Sequence, residues 1–159
     1  MLFSSTSTDK INLNIDGQII KQEENAKFIG IIFDSKLTWK SHIKFTHKKA
    51  TVVCNMLKAF AGTTWGSHPL SILKVYKGYV RALIEWGSLC YSNASKSLLK
   101  KLDQIQNAAI RIATGLLKCT NTYNLYKISN LQPLAVRKTY ITDKFILKLS
   151  TVSNKLHNK

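Results

Sequence analysis

Metal-dependent phosphoryl transfer needs at least two carboxylates close enough to hold the ions, and this chain of 159 residues contains eight acids. Glu23 and Glu24 are the one adjacent pair. They sit in a polar stretch before an apolar run, where a solvated turn is the simpler reading. Beyond residue 35 the acids are Glu85, Asp103 and Asp143, each expected on a different helix. Asp103 is expected on an exposed flank, paired with Lys100 or another base. Cys54, Cys90 and Cys119 are odd in number and irregularly spaced, with no Cys-x-x-Cys, so ordinary, partly buried thiols are expected. His42 and His47 stand five apart, out of register for two ligands on one helical turn. Neither a Gly-x-Ser-x-Gly elbow nor a His-x-x-x-His pair occurs. Asn93-Ala94-Ser95 fits a glycosylation sequon, a chance match in a chain read as intracellular. No catalytic residue, metal ligand or cofactor is expected in this chain.

Polyanion binding is the chemistry that the composition favours. Twenty-four Lys and Arg against eight acids give a formal charge of +16. The excess lies beyond residue 35, because five of the acids precede it. Such a domain repels itself unless a polyanion or counterions screen it. Nucleic acid is the leading partner and anionic lipid the second; excess lysine that merely solubilises the chain is the plain alternative. Lys40, Lys44 and Lys48 recur at spacing four, with Lys49 beside them. That spacing lines one face of a helix, able to follow a phosphate backbone or simply to be solvated.

The elements that must carry these residues follow from periodicity. Ile11 to Ile15 alternates apolar and polar residues as a half-buried strand does, and Asp16-Gly17 is a two-residue hairpin signal leading into Gln18–Lys21. Lys27 to Phe33 is an apolar run expected as the most buried strand. Three such strands are too few to stand alone, so a covering partner is expected. Past Trp39 the period becomes helical. Ile43, Ala50, Val53, Leu57 and Phe60 line a helix of about 22 residues that stops near Gly62. Ser67 and Pro69 open a second, apolar on two sides and so expected at the centre of a bundle. Leu98, Leu102, Ile105, Ala109, Ile112 and Leu116 form a seam along a third. A short amphipathic piece spans 122–130, and Pro133 opens a last helix carrying Ile141, Phe145, Leu149 and Val152. The expected fold is α+β and mainly α: a small antiparallel β element over 1–36, a helical region over 37–153 of four to five helices, and a disordered tail at 154–159. No stretch is long and apolar enough for a transmembrane helix or a signal peptide, so an intracellular location, nucleus or cytoplasm, is expected.

Several blocks together resemble a known family. Lys27-Phe28-Ile29-Gly30-Ile31-Ile32-Phe33-Asp34-Ser35-Lys36-Leu37-Thr38-Trp39-Lys40-Ser41-His42-Ile43 is similar to the segment just downstream of the catalytic palm in non-LTR (LINE-type, jockey-like) retrotransposon reverse transcriptases. Trp65-Gly66, Tyr76 to Arg81, Glu85-Trp86-Gly87, Tyr91, Leu102 to Arg111 and Pro133 to Arg137 continue the likeness in order. The resemblance implies a primer grip at Phe28, Ile29 and Gly30 and a helical thumb beyond it, packed along a template–primer duplex. A glycine at 30 suits a backbone that approaches closely. The parent polymerases hold Mg²⁺ on palm aspartates in an Ala-Asp-Asp turn, and that turn is missing here. Lys118-Cys119-Thr120-Asn121 also departs from the family's Arg-Thr-Ser-Pro-like turn, which points to a decayed or truncated copy. The function implied is a fragment of an RNA-directed DNA polymerase that binds nucleic acid without catalysis. The alternatives are an independent basic helical module for RNA or DNA and, less well supported, a peripheral membrane protein whose amphipathic stripe has only modest anchors.

Overall fold

The computed structural model describes residue 3 and residues 13–15, 18–20, 22–62 and 66–157. Trp39 divides it. Four short strands precede that residue in two antiparallel hairpins: β1 (Leu13–Ile15) with β2 (Gln18–Ile20), and β3 (Asn25–Phe28) with β4 (Ile31–Asp34). Helices follow: α1 (Lys40–Phe60), α2 (Pro69–Val75) running through a π-helical stretch (Tyr76–Arg81) into α3 (Ala82–Glu85), then α4 (Lys96–Thr114), α5 (Thr122–Ser129) and α6 (Leu134–His157). The protein is therefore mainly α with a small N-terminal antiparallel β element.

The β-structure departs from the periodicity reading in one place. β1 and β2 pair as expected, Leu13 opposite Ile20; the Asp16-Gly17 turn between them lies outside the described residues. The run from Lys27 to Phe33, however, is two strands folded back on each other, with Phe28 opposite Ile31. Ile29 and Gly30 take positive φ, +48° and +81°, the two-residue turn whose twist matches flanking strands. An unbroken apolar run hides such a turn, because β-branched residues rarely adopt that conformation. Burial differs between the two halves: β3 is exposed except at Ala26, whereas β4 is half-buried throughout. Phe28 is 65% and Ile29 66% exposed, while Ile31 and Phe33 pack inward on the helical core.

The core forms where α1 and α4 run against each other. Ile43, Ala50 and Leu57 of the expected α1 stripe are buried, joined by His42, Thr46 and Cys54. Leu102, Ile105 and Ala109 of the α4 seam are buried, joined by Gln106, Ile110 and Ala113. The fully buried Ala50 and Ala109 let helix backbones approach closely. Across the α2–α3 rod the buried residues are Ile72, Leu73, Tyr76, Val80 and Ile84. Buried positions spaced by four drift about 40° per step around an α-helix; the wider π turn, bonded i to i+5, offsets that drift and keeps Tyr76, Val80 and Ile84 on one side. The rod is not enclosed at the bundle centre. Leu70, Val75, Tyr79 and Trp86 are exposed, with no helix among the described residues laid over them.

Helix ends obey local chemistry. His68, not Ser67, caps α2: its Nδ1 accepts the Leu70 N–H, with Pro69 in the first turn. Asn121 accepts the Tyr123 N–H at the start of α5. Gly115 closes α4 at φ +69°, a conformation that only glycine adopts at no steric cost. The final helix runs to His157, past residue 153 where helix was expected to give way to a tail. Ile141 is half-buried, but beyond it Phe145, Leu149 and Val152 are exposed. Among the described residues the apolar stripe there finds no covering element. Cys54 is buried and its thiol pushed up to about 11 by desolvation, whereas Cys90 and Cys119 are exposed rather than partly buried.

One polar chain crosses the core. Tyr76 donates its hydroxyl to Gln106 Oε1 at 2.8 Å, and Gln106 Nε2 donates to the Gln132 carbonyl at 3.0 Å. Gln106 is fully buried, so its amide must be satisfied internally. Replacing Gln106 by Leu strands both the Tyr76 hydroxyl and the Gln132 carbonyl. A loss of about 2–3 kcal/mol is expected, read as a fall in thermal midpoint by circular dichroism. The Y76F/Q106L double variant is expected to recover part of it.

Candidate nucleic-acid interface

The exposed turn at Ile29-Gly30 is built by its own strain and by a tether. Ile29, β-branched at φ +48°, costs on the order of 1–3 kcal/mol to hold there. Its carbonyl accepts the Trp86 indole N–H at 3.1 Å. A Cβ at residue 30 would lie 3.4 Å from the same indole nitrogen, and one at Gly87 would come within 2.7 Å of Ile31 Cδ1. The positive φ of the turn, rather than the contact with Trp86, is what calls for glycine at position 30, and it accounts for the residue without any ligand. Phe28, Ile29 and Gly30 all face solvent at the tip.

The base of the same hairpin is riveted to the helices. Asp34 accepts from the Thr38 amide and hydroxyl, both at 2.7 Å, and from the Trp39 amide at 2.8 Å. These bonds organise a loop in which Leu37 and Trp39 have φ of +52° and +64°. Burial opposes ionisation of Asp34, but the bonds from Thr38 and Trp39 outweigh it and hold the carboxyl below its usual value. Trp39 is buried, stacks edge-on with Phe33 at 5.4 Å and donates its indole N–H to Asn93 Oδ1 at 3.0 Å. The sequon asparagine thus serves as an internal acceptor. His42 Nδ1 accepts the Ile32 N–H at 3.3 Å, and desolvation holds the imidazole below its usual pKa.

Lys40, Lys44, Lys48 and Lys49 are all exposed on α1, but they do not form a single row. At 100° per residue, Lys40, Lys44 and Lys48 climb the outer face, while Lys49 turns toward the opposite flank. There its Nζ lies 4.7 Å from the centre of the Phe45 ring, and Lys27 of β3 reaches the same ring at 5.4 Å. Lys27 was not among the candidate bases. Only the hairpin's return onto α1 places it there, and periodicity along either element alone gives no sign of it.

Arg81 and Arg111 have internal partners. Arg81 and Arg137 both pair with Glu85 Oε1, at 2.7 and 2.9 Å, and Arg111 donates to the Thr120 carbonyl at 3.2 Å. Burial works against the Glu85 charge, yet hydrogen bonds from Arg137 and Arg81 hold its carboxyl below the usual range. The three late acids do converge: Glu85, Asp103 and Asp143 line one pocket of about 370 Å³. Asp103 is half-buried, not on an exposed flank, and desolvation raises its pKa while Lys138, not Lys100, is the base beside it. Arg137 and Lys138 share the lining, so the acids are matched by bases. Among the described residues no group of three His, Cys, Asp or Glu side chains is placed to hold a metal ion, and no helix is long and apolar enough to cross a membrane.

With this geometry in view, the chain's likeness to known proteins is distant but long. It is 24% identical over 157 residues to the RNA-directed DNA polymerase from mobile element jockey of Drosophila melanogaster, covering 92% of this chain and 16% of that protein. The chain thus spans about one-sixth of the length of the curated relative it matches. No family model matches it, and no solved structure does. The similarity supports a distant relation to a retrotransposon RNA-directed DNA polymerase.

Two expectations follow from the tip and its rivets. Ile29→Asn relieves the positive-φ strain and is expected to stabilise the fold by about 1 kcal/mol. Trp86→Phe removes the tether and is expected to cost about 1 kcal/mol, with faster hydrogen exchange confined to β3 and β4. Acid stability is expected to fall in two stages. His42 has a lowered folded pKa, so the unfolded chain takes up its proton first and stability declines as pH drops below 6.5. Asp34 and Glu85 are lowered too; their contribution is complete above pH 4.5 and drains away as pH falls below it. Urea midpoints across pH check this, with H42Q expected to remove the first stage alone.

Proposed function

We propose that this chain acts as the primer-grip and thumb portion of a retrotransposon reverse transcriptase, holding template–primer nucleic acid beside carboxylates supplied elsewhere. The likeness to the jockey polymerase along nearly the whole chain carries the reading. The Ile29-Gly30 tip supports it. A strained, solvent-facing turn held rigidly against the bundle is suited to steady a primer end, and strain of this kind clusters at functional sites. Lys40, Lys44, Lys48 and Lys49 would neutralise phosphates and so contribute affinity without reading sequence. Mg²⁺ belongs to the intact polymerase in this reading; the chain alone binds but does not polymerise.

A second reading, an independent basic helical module for RNA or DNA, is favoured by the hairpin's anchorage. β3 and β4 find their covering partner in α1 and Trp86 of the same chain, so the fold does not need a larger sheet to cover it.

Titration of an RNA–DNA hybrid at several salt concentrations tests the proposal. Four lysine–phosphate contacts give a log–log slope of about −4, and replacing all four lysines with Gln is expected to flatten it nearly to zero. A salt-independent affinity overturns the phosphate-binding reading. Primer-end capture separates the two alternatives. Ile29→Glu is expected to weaken a recessed primer–template by about tenfold and leave a blunt hybrid unchanged if the tip grips a primer. Equal effects on both favour the independent module.

A further inference from the structure

Between α1 and the α2–α3 rod runs an open groove of about 960 Å³, apart from the hairpin tip and from the outer face that carries Lys40 and Lys44. Its walls are apolar and exposed. Val52, Met56 and Phe60 of α1, with Val75 and Tyr79 of the rod, line it and are each between 48% and 60% exposed. Contiguous exposed apolar walls of this kind mark an interaction site. Lys48 and Lys49 stand on the α1 side of the groove, and no acid is among its lining residues.

From this arrangement we infer that the groove docks an amphipathic helix of a protein partner, its apolar stripe seated between α1 and the rod and its flanks acidic. A channel between two neighbouring helices is the shape that receives a third, through anchors at i, i+3, i+4 and i+7. Charge selects among occupants. A second copy of this chain brings a further +16, and the exposed apolar stripe on its α6 is flanked by the exposed Lys144 and Lys148. A nucleic-acid duplex would match the two lysines but leave Val52, Met56 and Val75 against phosphate and sugar. Only an acid-flanked apolar helix satisfies both walls and rim. The inference goes beyond the polymerase reading and does not depend on it.

Fluorescence polarisation with the full chain tests it, using three labelled peptides of about 18 residues, long enough for five helical turns. One has a leucine stripe with glutamate flanks, one the same stripe with lysine flanks, and one a scrambled order of the glutamate peptide. The glutamate-flanked peptide is expected to bind at least about tenfold tighter than the others. Met56→Glu and Val75→Glu, both at exposed positions, are expected to lower that affinity about tenfold with unchanged unfolding midpoints. The Lys48→Glu/Lys49→Glu variant is expected to reverse the preference toward the lysine-flanked peptide. Equal binding of all three peptides, or indifference to both glutamate substitutions, overturns the inference. So does an RNA–DNA hybrid whose affinity falls as much as the peptide's in Met56→Glu, because the groove would then belong to nucleic acid. Loss of hybrid binding by the four-lysine variant alone bears on the polymerase reading and leaves this one standing.

Discussion

A two-stranded hairpin cannot hold itself in water, and the exposed tip of this protein exists only because β3 and β4 are bonded to helices. Four side chains do it. Trp86 holds the Ile29 carbonyl, His42 takes the Ile32 amide, Asp34 binds the Thr38 and Trp39 amides, and Trp39 reaches Asn93. Each is worth about 1 kcal/mol net in isolation. Together they also fix three non-glycine residues, Ile29, Leu37 and Trp39, at positive φ, where an unsupported loop would relax. The rigidity of the tip is thus a property of the bundle, transmitted through polar contacts rather than through a sheet.

The blocks that resemble reverse transcriptases prove to be joints. Asp34, Trp39 and His42 come from one block, Arg81, Glu85 and Trp86 from another, Gln106 from a third and Arg137 from the last. Trp39, Glu85, Trp86, Gln106 and Arg137 each contact an element distant in sequence, while Asp34, His42 and Arg81 bond to residues ten or fewer positions away. Glu85 links the α2–α3 rod to α6 through Arg137 and pairs with Arg81 one turn earlier on its own rod. Arg81 and Arg111 have partners within the chain, whereas Lys40, Lys44, Lys48 and Lys49 are exposed.

Those lysines face a divided task. On the outer face of α1 they stand free over solvent, where charge acts at range and is screened by salt. On the inner flank Lys49 and Lys27 lie over Phe45, so their ammonium groups border apolar surface instead. One flank of α1 carries charge open to solvent and the other borders an apolar channel, with Lys48 and Lys49 on the channel's lining.

Local chemistry was legible in the chain itself. The hairpin register around Asp16-Gly17, the boundary at Trp39, the span of α1 and the seam of α4 all follow from period and punctuation, because each depends on neighbours a few residues away. The turn at Ile29-Gly30 was not, since an isoleucine forced to positive φ is stable only with Trp86 beside it, 57 residues along. Nor could sequence tell that, among the described residues, one apolar side of the rod and the end of α6 go uncovered: amphipathicity says that a face is sticky, not whether another element arrives to cover it. Lys27 beside Phe45, and three acids gathered with two bases around one pocket, belong to the same class. They are long-range coincidences that only the packing of helices creates.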